Sequence, residues 1–191
     1  MPWSLNHILI LTIAVFSHAS MIGLMTMAPI HTDRQFGASG SSIAMTAHLL
    51  GMYALGPLVS MGIKRYGIRP AIGAGVAVFL ASFSPFLFHL ESLSLFTLAL
   101  GGVGLGWSIG MIASSTLTTR IANPHHRVVL QGRLDISINI AAGISSLLSG
   151  LVVSRYGYSA LATGNILLFV IAIALGCALL RWSKPGQDIP R

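Results

Sequence analysis

SMGIKRYGIRP, residues 60–70, places Lys64, Arg65 and Arg69 within six positions, between segments that are apolar on both sides. A shorter copy of its centre, SRYGYSA, follows at residues 154–160, with Arg155 ninety positions after Arg65. The flanking stretches raise one question, what solvent they face, and the copy raises another, how the two corners are related. Composition answers the first. Of 191 residues 54% are hydrophobic and 8% charged, and mean hydropathy is +0.81, whereas a soluble domain carries about 25% charged residues. So few charges cannot cover a water-facing surface, so a lipid bilayer is the solvent for most of the chain. The net charge of +7 is spread over short connections and makes no continuous basic face, which excludes nucleic-acid binding.

Apolar runs of about 20 residues, the length that crosses a bilayer, occur six times: 8–30, 43–63, 71–90, 93–117, 134–154 and 159–180. Each can satisfy its own backbone in lipid only as a helix, and all are too uniformly apolar for the alternating strands of a membrane barrel. The expected fold is an all-α membrane protein, one six-helix domain over 1–191. Six spans leave both termini on one side. Of the eleven Lys and Arg, Lys64, Arg65, Arg69, Arg120, Arg127, Arg133, Arg181, Lys184 and Arg191 fall on that side, and Arg34 and Arg155 on the other. Positive residues accumulate on the cytoplasmic side, so both termini are expected in the cytoplasm of an inner-membrane protein. Asp33 and Glu91 lie on the outer side and contribute little to topology. MPWSLNH has no Lys or Arg and precedes an apolar run too long for a signal peptide, so no cleavable leader is expected. The single Cys177 allows no intrachain disulfide.

Topology also answers the second question. In the first corner Gly67 lets the chain reverse and Pro70 opens the next helix where a missing N–H is harmless. The second corner comes three spans later, an odd number, so a second copy runs upside down through the membrane. IGLMTMAPI (22–30) and IGMIASSTL (109–117) pair at nearly the same shift. The reading is an inverted 3+3 repeat, the plan of many secondary transporters.

Several stretches resemble a known family. AHLLGMYALGPLVSMGIKRYGIRP (47–70) is similar to the eighth helix and following loop of the major facilitator superfamily (MFS), and most of all to its bacterial drug-efflux-like members. MTMAPIH (25–31) resembles the outer end of its seventh helix and LGGVGLGWSIGMIASSTL (100–117) its tenth. NPHHRVVLQGRLDISINIAAGISSLLSG (123–150) resembles the loop and eleventh helix, with QGRLD (131–135) the most specific part. The likeness covers nearly the whole chain and corresponds to the C-terminal six helices of a twelve-helix transporter. Ser60 and Lys64 depart from the family loop motif, which has Gly and Asp there, so the charge latch made by that Asp cannot form in the same way. The resemblance implies a secondary-transporter half that moves a small molecule by alternating access, with proton-coupled efflux as the finer expectation. It also implies a second six-helix half, a copy or a separate chain, because one half alone exposes its cavity face to lipid. A non-transporting truncated fragment or assembly partner is the alternative. No metal or cofactor is expected.

Polar groups inside spans are costly, roughly 2.5–3.5 kcal/mol for a central Asp, Lys or Arg, so they nominate the substrate cavity: His18, His48, Asp135 and Asn139. His18 is the most central titratable group, and its imidazole exchanges a proton near neutral pH; a satisfied core histidine is the other reading. His48 either lines the cavity or bonds a neighbouring helix. Asp135, the only carboxylate in a span, either pairs with a basic group or substrate, or favours the positive start of its helix; Asn139 shares its face at i, i+4. Met21, Met25 and Met27 offer an adaptable surface. Asn165 is the exception, a polar group on a helix that the family plan turns to lipid. Lys64, Arg65, Gly67 and Arg69 form the loop expected to set topology and contact the partner half. GGVGLGWSIG (101–110) lacks the strand and G-K-[ST] ending of a nucleotide loop and reads as helix packing through small residues.

An enzyme reading would rest on GASG (37–40) and AHLLG (47–51), which resemble the serine and histidine motifs of rhomboid intramembrane proteases. Ser39 and His48 are nine residues apart, ~13 Å on a helix, with Ser39 expected in the outer loop. The required helix order is missing, and no enzyme activity is expected.

Overall fold

The computed structural model describes residues 5–87, 92–121 and 127–182. Glu91, Asn123 to His126, Lys184 and Arg191 lie outside the described residues. Among those described there is no strand. The first helical run, Leu5–Leu49, is broken at Gly37 (φ 73°, ψ 174°), and helix continues through a π turn at Leu50–Ala54 into Gly56–Tyr66. At 1.5 Å per residue, the 56-residue apolar stretch Leu11–Tyr66 is far longer than a ~30 Å hydrocarbon core, and the glycine break divides it into two arms, each long enough to cross. We number the arms α1 (5–36) and α2 (38–66), followed by α3 (Ile68–Phe83), α4 (Leu93–Ile121), α5 (Arg127–Tyr156) and α6 (Tyr158–Trp182). Stretches long and apolar enough to cross a membrane occupy Leu11–Tyr66, Ile68–Leu87, Leu93–Arg120 and Arg127–Tyr156.

The helices run past the apolar runs. Residues 31–42, expected as a loop, are helical except at Gly37, because a single glycine makes the turn and its polar neighbours tolerate helix. Ser39 therefore sits in the first turn of α2 and not in a loop. The Ser41 hydroxyl reaches back across the turn to the Pro29 carbonyl (3.2 Å), and Thr32 bonds Ala28 O (2.6 Å). Pro85 ends α3 early, as expected for the residue before a proline, and Ser84–Leu87 forms a 3-10 turn. α5 begins at Arg127, seven residues ahead of the apolar run.

Helix α4 is the hub, and its glycines explain why. Gly101 and Gly104 meet α2: an added Cβ on Gly101 would stand 3.4 Å from Ala47 O, and one on Gly104 would meet His48 O and Met52 N. A Cβ added to Gly106 would stand 2.5 Å from the Phe79 ring of α3, one on Gly110 would stand 2.7 Å from Ser17 Oγ of α1, and one on Gly75 of α3 would meet Ile109. In lipid no hydrophobic force drives helices together, so close backbone approach at small residues supplies the packing. GGVGLGWSIG thus packs α4 against three neighbours.

The buried side chains form two clusters. One joins Leu24 and Ala28 of α1 to Phe79, Phe83, Phe86, Phe96, Leu100 and Tyr158. The other joins Ala14, Ile63, Ile68, Ala113, Leu117, Leu134 and Ile138. The second gathers the early part of α1, the α2–α3 corner, the late part of α4 and the early part of α5. The first gathers the later part of α1, the start of α4 and the α5–α6 corner. The two Arg-Tyr-Gly corners therefore occupy opposite ends of the bundle.

Candidate functional site

Three of the four nominated residues lie on partly or fully open surface. His18 of α1 accepts a hydrogen bond at Nδ1 from the Trp107 Nε1–H of α4 (2.8 Å), with ring centroids 5.8 Å apart. Trp107 in turn meets Tyr53 edge to face, at 6.1 Å and 75°. Tyr53 belongs to the π turn of α2 and is 65% exposed. One side chain from each of α1, α2 and α4 thus converges on a half-open aromatic group. Sequence reasoning named His18 but missed Trp107 and Tyr53. Their signal was weak, since aromatic residues in apolar helices usually pack, and His18 and Trp107 are 89 positions apart.

On α5, Asp135 and Asn139 are both exposed. Gln131 Nε2 donates to Asp135 Oδ1 (3.2 Å), and Asn139 Nδ2 donates to the Asp135 carbonyl (2.7 Å). Gln131, one turn before Asp135 within QGRLD, is the member of this group that the sequence reading passed over. Because α5 starts at Arg127, Asp135 lies more than two turns inside the helix. The attraction of a helix N-terminus falls off within the first turn, so it does not account for this carboxylate. No hydrogen bond joins the Asp135 group to the His18 group among the described residues.

His48 stands apart. It is 2% exposed, and its Nδ1 donates to the Leu100 carbonyl of α4 (2.9 Å), inside the seam where Gly101 and Gly104 let α2 and α4 touch. Its hydrogen bond satisfies a buried polar ring and ties two helices. Ser39 is exposed, and the two side chains share no hydrogen bond among the described residues, so nothing assembles a nucleophile and its base.

Asn165 also finds its place. It is buried, its Nδ2 donates to Leu161 O (2.9 Å), and it borders Gly23 of α1. That inward seam continues through Ser145, whose hydroxyl donates to Ala19 O (2.7 Å), and through Thr26, which donates to Ser146 (3.1 Å). These polar side chains knit α1 to α5 and α6, so a polar residue on α6 need not face lipid. Of the loop residues, Lys64 and Arg65 close α2, Gly67 (φ 91°, ψ 170°) is the joint, and Arg69 lies in the first turn of α3. The Arg65 guanidinium lies 5.4 Å from the centre of the Tyr66 ring.

The described residues contain no group of three or more His, Cys, Asp or Glu able to hold a metal ion. What the open face offers is aromatic surface, a neutral imidazole and a carboxylate–amide pair, on helices otherwise suited to lipid.

Comparison with known proteins agrees with this architecture. Residues 10–190 match the family model described as Major Facilitator Superfamily. Two Bacillus subtilis proteins, the uncharacterised MFS-type transporters YddS and YdeG, are 28% and 30% identical over 163 and 165 residues, 84% of this chain in each case. The riboflavin transporter RfnT of Brucella anthropi is 25% identical over 193 aligned positions, 94% of the chain. The aligned parts make up 37%, 38% and 44% of those relatives, so the chain spans less than half their length. With a helical bundle suited to a membrane and a family match over nearly every residue, the chain belongs to the Major Facilitator Superfamily, a family of membrane transporters and not of enzymes.

Proposed function

We propose that the chain forms one six-helix half of a secondary transporter that moves a small molecule by alternating access. The observation that carries this reading is polarity in the wrong place for lipid. His18, Tyr53, Asp135 and Asn139 lie on partly or fully open surface of helices that are otherwise apolar. A carboxylate facing hydrocarbon costs a few kcal/mol, so this surface needs a polar, water-accessible cavity. A second six-helix half, a copy or a separate stretch of protein, supplies the other wall. Binding at the interface of two halves, with one rocking against the other, is how such folds give alternating access.

His18, Asp135 and Asn139 then face the cavity. His48 acts from behind it, holding α2 on α4. The corner carrying Lys64, Arg65, Gly67 and Arg69 lies in the cytoplasm with both termini, in an inner membrane, and borders the partner half. The drug-efflux-like resemblance points the direction outward, with protons moving inward as the driving force. RfnT, by its name a riboflavin transporter, makes riboflavin a first substrate to try.

The test is transport by the complete protein in vesicles, with His18→Ala beside the wild type. We expect the variant to reach the membrane in normal yield and to transport at least tenfold more slowly. Unchanged kinetics would remove His18 from the cavity, and an absence of transport by the wild type across a broad solute panel would favour an assembly role.

A further inference from the structure

The aromatic group also limits what the substrate can be. Because Trp107 Nε1–H donates to His18 Nδ1, that nitrogen is bare and the imidazole proton sits on Nε2. The only polar atom of the indole is therefore used by the protein itself, and Trp107 is left with π surface to offer. His18 keeps one donor, Nε2–H. Tyr53 meets the indole edge to face, and its hydroxyl has no hydrogen-bond partner among the described residues. Among the described residues, the contacts of these three side chains are with one another and include no Lys or Arg, so the group itself offers no fixed cation to a phosphate or carboxylate.

The backbone gives a second, independent sign. Tyr53 lies in the π turn Leu50–Ala54, and π turns inside α-helices frequently occur at functional sites. An extra residue in the turn changes the register of the helix there, and Tyr53, within it, meets Trp107. Pro57, which has no N–H to give the Tyr53 carbonyl, lies just beyond and prevents the regular bond from forming.

Resting on the transporter reading above, we propose that Tyr53, Trp107 and His18 form a stacking subsite for a planar, uncharged heteroaromatic substrate with hydrogen-bond acceptors in the plane of its ring. The ring system lies against the indole or phenol face, as aromatic pairs prefer in offset or edge-on geometry. His18 Nε2–H and the Tyr53 hydroxyl donate to ring nitrogens or carbonyl oxygens at its edge. A saturated polyol has no face to stack, and an anion meets no Lys or Arg in this group among the described residues.

Lumichrome, a neutral tricyclic heteroaromatic, is a suitable probe because its own fluorescence anisotropy reports binding. It would be titrated against the complete protein in nanodiscs, with protein-free nanodiscs as the partition control. Saturable binding is expected, weakened tenfold or more by Trp107→Leu and by Tyr53→Leu. Trp107→Phe, which keeps a ring, should retain most of it and guards against simple misfolding. Leu50→Ala, in the same turn at 56% exposure, should leave it within twofold. Binding no greater than to empty nanodiscs, or binding indifferent to Trp107→Leu and Tyr53→Leu, overturns the proposal. Solute movement in vesicles separates the two readings. Lumichrome bound but no solute moved rejects the transporter and keeps the subsite. Transport of a saturated solute such as ribitol without lumichrome binding keeps the transporter and rejects the subsite.

Discussion

The corners at Arg65–Gly67 and Arg155–Gly157 share a backbone and differ in what they bury. Each joins two helices through one glycine, at φ 91° and 83°. In each the glycine N–H bonds the carbonyl four residues back, Ile63 at 2.9 Å and Val153 at 3.0 Å. The tyrosine before the glycine is exposed in both, and the residue after it is buried in both, Ile68 at 3% and Tyr158 at 5%. Ile68 closes an aliphatic cluster. Tyr158 stacks on His31 at 4.4 Å, lies 5.9 Å from Phe86 and Phe96, and points its hydroxyl at Leu24 O (3.4 Å). The comparison teaches that the repeat preserves the joint and the direction of each buried anchor, while the two ends of the bundle have acquired different chemistry. One end carries Lys64, Arg65 and Arg69, and the other an aromatic plug linking α1, α4 and α6.

If the anchors differ in this way, the largest effect belongs to the plug. Tyr158→Ala should destabilise the protein by about 3–5 kcal/mol, as large aromatic truncations in packed cores do, read as a fall in the thermal midpoint in detergent. A loss of under about 1 kcal/mol would show that the stack with His31 holds nothing together. The joints themselves come next. Gly67→Ala and Gly157→Ala force a side chain into a backbone region open essentially only to glycine, at about 1–3 kcal/mol each. No neighbour crowds a Cβ at either site, the nearest atom being Pro70 Cδ at 4.0 Å from Gly67. The two losses should therefore match, and unequal losses would break the equivalence of the corners. The smallest effect sharpens the contrast. Tyr66→Leu removes an exposed Arg65–ring contact worth about 0.5–1 kcal/mol, whereas Tyr156→Leu, with no cationic neighbour on its ring among the described residues, should leave the midpoint unchanged.

The same contrast shows what could be read without coordinates. Runs of apolar residues gave away helices because their length and the lack of charge leave lipid as the only solvent, and glycine between charged residues gave away the corners. The glycines of α4 were legible as packing because no strand or Lys-Ser/Thr ending accompanied them. Which face of a helix turns inward was not legible, since helices that are apolar all round carry little periodicity; Asn165 stood as an exception to the family plan because the inward seam of its helix could not be read. Nor could sequence pair His18 with Trp107, or His31 with Tyr158, because such contacts depend on how the helices cross. The hairpin at Gly37 was hidden because polar residues around it read as a loop while remaining compatible with helix. The cost of polarity in lipid nominated His18, Asp135 and Asn139, whereas Tyr53 and Trp107, ordinary residues of membrane helices, drew no such nomination.

The central claim is that the chain is built from two inverted three-helix units whose corners lie on opposite sides of a membrane. Cysteine accessibility tests it most directly. Tyr66→Cys and Tyr156→Cys, exposed positions in the two corners, would each be placed in a Cys177→Ser background and treated with a membrane-impermeant thiol reagent, on intact cells and on inside-out vesicles. Cys at 156 is expected to react only in intact cells and Cys at 66 only in inside-out vesicles. Labelling of both from the same side would contradict the claim.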